Sequence, residues 1–93
     1  MSKIVFLKNN QEILMSNEKI DYFQESLTII KKNEESKITL NFQEQTCHLE
    51  MKDISLDIPV LKMSYEIGDL KDVFTFTLVS EPDVINTVII HKK

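Results

Sequence analysis

The sequence predicts an all-β chain, a small antiparallel meander that closes on itself as a sandwich or a small barrel. Apolar and polar residues alternate with period two from Ile38 to Leu78. Successive side chains of a strand point to opposite faces, so this pattern describes a sheet with one dry face and one wet face. One-sided sheets of this kind are characteristically antiparallel. Polar turn segments interrupt the alternation at short intervals, and many short strands spaced by roughly 8–12 residues are the mark of a sandwich or barrel. At 93 residues the chain suits one β domain spanning 1–93, with a modest core.

From the start of the chain, Lys3 to Leu7 and Glu12 to Met15 read as two short strands around an Asn9-Asn10 turn. Residues 17–32 admit two readings. Ile20, Phe23, Leu27 and Ile30 fit a helical stripe with Asn17 as N-cap, which would place one short helix near residues 17–25. Read as strands, Ile20 and Tyr22 share a face of one, and Leu27 and Ile29 share a face of the next. The β-branched residues at 28–30 favour the second reading.

Beyond the polar segments Asn33–Ser36 and Gln43–Gln45 the assignment is direct. Ile38, Leu40 and Phe42 point inward, then Cys47, Leu49 and Met51, then Ile54, Leu56 and Ile58. Pro59 interrupts the ladder, as at an edge, a bend or a bulge. Leu61, Met63, Tyr65 and Ile67 form the next inward row, up to the turn at Gly68-Asp69, and Phe74, Phe76 and Leu78 follow it. A turn at Glu81-Pro82-Asp83 sets the last strand at Asn86 to His91.

Composition narrows the function classes. Hydrophobic residues make up 42% and charged residues 28%, which suits a packed domain and excludes disorder. No apolar run approaches the length of a membrane helix, and the short run Ile4 to Leu7 lacks the form of a secretion signal, so no membrane partner is expected. With a lone Cys47, no internal disulfide can form, and a cytoplasmic location is expected. A net charge of −4 and the absence of Arg argue against nucleic acid as a partner.

From Tyr22 onward the strand succession has a counterpart. Leu27-Thr28-Ile29-Ile30-Lys31-Lys32 is a strand ending in basic residues, and Ile38-Thr39-Leu40-Asn41-Phe42 ends in an apolar-polar-Phe step. Ile54 to Ile58, Leu61 to Tyr65 and Val73 to Leu78 follow. This order resembles the YwiB-type family of bacterial proteins, which have a calycin-like (lipocalin-like) β-barrel. The resemblance covers about three quarters of the chain and implies a fold, with no activity attached. The family tends to carry a Pro- and Gly-containing turn before the strand at Ile54; here Met51-Lys52-Asp53 stands in its place. This chain is also shorter at its N-terminus, so a calycin-like barrel here would be incomplete or would borrow strands from a second subunit.

No catalytic residues, metal site or cofactor are assigned, and an enzyme is not expected. Cys47 and His48 are adjacent on a strand and point to opposite faces, so they do not form a nucleophile–base pair. Cys47 reads as a small buried hydrophobe, His48 as a solvated side chain and His91 as part of a frayed end. Asp57 and Glu66 fall on the wet face, whereas a glycosidase needs facing, partly desolvated carboxylates. Asp69 and Asp72 near Gly68 lack the ligand spacing of a calcium loop. With a single glycine the chain has no phosphate-binding loop and no nucleophile elbow for Ser55 or the other serines.

Two readings of function follow. In the first, Phe42, Met51, Met63, Tyr65, Phe74 and Phe76 line a barrel interior that binds a small apolar ligand. In the second the core is solid and the protein is an interaction or self-associating module, using an open sheet edge or its terminal strands. Within Lys3 to Leu7, the run Ile4 to Leu7 is apolar at consecutive positions, as is Val88 to Ile90, and Val79 adds to them. Strands apolar on both faces pair with each other or with another molecule. A homodimer would then use Val5, Leu7, Val79 and Ile89.

Overall fold

A computed structural model describes residues 3–13, 18–23, 26–31 and 35–92. The described residues form ten strands and no helix. In order these are β1 (Lys3–Lys8), β2 (Gln11–Glu12), β3 (Glu18–Phe23), β4 (Ser26–Lys31), β5 (Ser36–Asn41), β6 (Thr46–Glu50), β7 (Ser55–Ile58), β8 (Val60–Ile67), β9 (Lys71–Leu78) and β10 (Asn86–His91). Of the two readings of residues 17–32 the favoured, strand one is found: β3 and β4 stand there in place of the alternative short helix near residues 17–25, with positions 17, 24 and 25 outside the described residues. Pairing decides the matter: Ile20 faces Ile29 and Tyr22 faces Leu27, so the residues that share a face in the strand reading meet across the β3–β4 pair, while Phe23 and Ile30 of the helical stripe face Ser26 and Lys19.

The strands form two open five-stranded sheets, in the orders β2-β1-β10-β9-β8 and β3-β4-β5-β6-β7, and not one closed sheet. The registered pairs are all antiparallel. Two compact units result, one built from both ends of the chain (Met1–Leu14 and Leu61–Lys93) and one from its middle (Met15–Val60). Pro59, without an N–H to donate, stands where the chain leaves one sheet for the other.

In the middle-segment sheet each hairpin follows directly on the last. Leu27, Leu40 and Cys47 stand side by side in one buried row that ends on Ile58. Ile20, Ile29, Ile38 and Leu49 form the parallel row, which ends on Leu56. Desolvation pushes the Cys47 thiol up to about 11. Positive φ at Gln45 (58°) and the hydrogen bond from Glu44 N–H to Asn41 Oδ1 (2.9 Å) close the β5–β6 turn, whose first residue, Phe42, is buried.

In the sheet of chain ends, β1 pairs along its whole length with β10, from Lys3 opposite His91 to Lys8 opposite Asn86. His91, expected to fray, is held in this register and half-buried. Phe6, Val88 and Phe74 form the buried central row, flanked by Ile90 and Phe76. Asn9 and Asn10, at φ 51° and 67°, make the tight turn into β2, the left-handed conformation that Asn tolerates best after Gly. Asn9 also exchanges hydrogen bonds with Ile85, its N–H donating to the Ile85 carbonyl and its Oδ1 accepting the Ile85 N–H, both at 2.9 Å.

Candidate functional site

The wet face of the middle-segment sheet carries a polar row across all of its strands: Asp21, Thr28, Thr39, His48 and Asp57. At its β7 end the side chains engage one another. His48 Nδ1 lies 2.9 Å from Asp57 Oδ1 and Nε2 lies 2.7 Å from Ser55 Oγ. With Nδ1–H donating to the Asp57 carboxylate, Nε2 is left to accept the Ser55 hydroxyl. Glu50 stands 3.9 Å from the same Nε2. His48 is therefore half-buried and bonded at both ring nitrogens, not simply solvated as its position suggests. The geometry arises because Lys52-Asp53 turns the chain within the Met51–Ile54 backbone pair, which sets His48 against Asp57 and Glu50 against Ser55.

Serine, histidine and aspartate in this connectivity are the parts of an acyl-transfer site. Such a site also needs donors aimed at a developing oxyanion and exclusion of water. Here the carboxylate of Asp57 is 93% exposed, so water screens the charge that would stabilise an imidazolium. An open pocket of about 320 Å³ borders Ser55, lined by the turn residues Glu50 to Ile54. The array links β6 to β7 through both ring nitrogens of His48.

A second polar cluster closes the β8–β9 hairpin. Asp72 is buried, and its Oδ1 accepts from Lys92 Nζ at 3.0 Å and from Gly68 N–H at 3.3 Å. Lys92 Nζ also donates to the Gly68 carbonyl at 2.7 Å, and Lys92 N–H to the Leu70 carbonyl at 2.9 Å. Asp72 thus serves as a buried structural carboxylate. Among the described residues no group of His, Cys, Asp and Glu could hold a metal ion.

The residues expected to line an apolar interior are divided. Phe42 and Met51 belong to one unit, and Met63, Tyr65, Phe74 and Phe76 to the other. Phe42, Phe74 and Phe76 are buried, Met63 is half-buried, and Tyr65 lies over Phe74 with ring centroids 6.4 Å apart. Met51 does not continue the inward row of β6; it sits at the mouth of the β6–β7 turn and is exposed. Of the terminal-strand residues, Val5 and Ile89 face each other in register and Leu7 faces Thr87, all half-buried. Val79 lies beyond the end of β9 and is exposed.

The feature that alternation alone did not single out is the β8 edge. β8 borders its sheet and runs for eight residues, and Leu61 and Ile67 are each 51% exposed. The hydrogen bond from Gly68 N–H to the Lys71 carbonyl (3.1 Å) fixes which backbone groups address β9. Because these alternate along a strand, the even positions turn toward β9, and the N–H and C=O of Leu61, Met63 and Ile67 turn outward. The opposite edge, β2, is two residues long.

No protein-family model, curated protein or solved structure matches this chain. Among the described residues no helix is long and apolar enough to cross a membrane.

Proposed function

We propose that this chain is a protein-interaction module that pairs another polypeptide strand along β8. The carrying observation is the inequality of the two edges of one sheet. Natural sheets blunt their edges by shortening, charging or covering them, because an open edge templates pairing with another chain. β2 is short in this way, whereas β8 is long and displays Leu61 and Ile67 to solvent. An added strand would satisfy the outward backbone groups of Leu61, Met63 and Ile67 and cover their apolar row. The alternative of an internal apolar ligand draws on Phe42, Phe74 and Phe76, which the fold already uses as core. A lone free thiol at Cys47 suits work in a reducing compartment such as the cytoplasm.

A labelled extended peptide of alternating Val and Thr, titrated with dilute protein and followed by fluorescence anisotropy, tests this reading. Binding to the wild type and its loss in Met63→Pro, which deletes one outward N–H, is the expected result. No peptide binding, together with stoichiometric uptake of an apolar fluorescent probe, would overturn it in favour of an interior ligand.

A further inference from the structure

We propose that the strand received by β8 is β8 of a second copy of this chain, laid antiparallel about a two-fold axis through Ser64. The inference rests on the preceding reading and gives it a partner. It is carried by the self-complementarity of the strand. On one face β8 presents Leu61, Met63, Tyr65 and Ile67; on the other it presents Lys62, Ser64 and Glu66.

With the axis at Ser64, Lys62 of each copy faces Glu66 of the other, so the polar face holds two opposite-charge pairs. Leu61 faces Ile67 and Met63 faces Tyr65, each twice over, so the apolar face meets only apolar or aromatic side chains. The outward backbone groups of Leu61 and Ile67 then oppose each other as hydrogen-bonded pairs, and the two Ser64 residues form a non-hydrogen-bonded pair. Neighbouring registers lose this match. An axis at Met63 sets Pro59, which has no N–H, against Ile67. An axis at Tyr65 sets Leu61 against Asp69 and leaves Lys62 and Glu66 without opposite charges. Seven residues a side make a small interface, so the dimer should dissociate on dilution.

The test is charge reversal with sedimentation velocity over a concentration series, and disulfide trapping at the axis. Lys62→Glu replaces both attractive pairs by repulsive ones and should weaken the dimer about tenfold, as should Glu66→Lys. The double reversal should return the dissociation constant to within about twofold of wild type, which also shows that the variants fold. Ser64→Cys should give an interchain disulfide under mild oxidation, since non-hydrogen-bonded antiparallel pairs stand about 4.5 Å apart at Cα, inside the disulfide range. Cys47 is buried and does not compete.

A dimer indifferent to both reversals, with no trapping at position 64, would overturn the proposal. A monomer at every concentration that still binds the Val/Thr peptide through β8 would overturn the two-fold dimer and leave the strand-pairing reading standing. A monomer that binds neither would overturn both.

Discussion

At the scale of single residues the most informative side chains are Cys47 and His48, neighbours in sequence on opposite faces of β6. Burial holds the Cys47 thiol protonated to about 11, against 9.0 for a free thiol. In the unfolded chain the proton leaves first, so unfolding releases a proton between those values. The stability this group contributes is whole below pH 9 and is lost as pH rises toward 11, by about 2 kcal/mol. Comparing denaturant midpoints of wild type and Cys47→Ala across that range checks it, since the variant should lack this part of the decline. His48, Ser55 and Asp57 are arranged as in a hydrolase but stand in water. Hydrolysis of p-nitrophenyl acetate should therefore be equal, within about twofold, for wild type and Ser55→Ala, because Asp57 is screened and solvated. A serine-dependent rate well above that would make the array catalytic. That Cys47 turns inward followed from alternation, but the partners of His48 did not. They are brought to it by the register of the β6–β7 hairpin, which period-two patterning leaves open.

At the scale of elements, two turns carry opposite demands on their residues. Asn10 is held at φ 67°, where glycine is freer still, so Asn10→Gly should stabilise the β1–β2 hairpin by a few tenths of a kcal/mol, read as a rise in thermal midpoint. Gly68 has no positive φ to satisfy; its need is space, because a Cβ there would meet the Lys71 carbonyl oxygen at 2.9 Å. Gly68→Ala should cost about 1–2 kcal/mol and loosen the strap that Lys92 makes over the hairpin, visible as faster amide exchange at Lys92. Most strands were legible from their apolar rows: the last strand, Asn86 to His91, lies where the alternation put it, and of the two readings of residues 17–32 the strand one is found, though its pairing of Ile20 with Ile29 and Tyr22 with Leu27 comes only from the structure. Exposure was not legible. Leu56, Leu61 and Ile67 continue apolar rows, yet lie open because β7 and β8 are edges, and edge position is a property of strand order.

At the scale of the whole molecule, the division into two sheets was also hidden. The same alternation runs on either side of Pro59, and a pattern of faces does not say which strands share a ladder. Each unit has its own buried residues, and each should be sensitive to truncation there. Leu40→Ala should cost about 2–5 kcal/mol and Phe74→Ala about 3–5 kcal/mol in chemical denaturation. Against the 5–15 kcal/mol typical of native domains, either change takes a large share of the total.

The pairing of β1 with β10 has a consequence in time. The middle-segment sheet is a run of consecutive hairpins, so each strand finds its mate as soon as the next is made. β1 is made first of the strands, and its long partner is made last. Throughout elongation on the ribosome, Ile4, Val5, Phe6 and Leu7 therefore wait without the β10 strand that will shelter them. In that interval the nascent chain offers a sticky segment to anything nearby. A holding chaperone present during synthesis should raise the yield of folded protein.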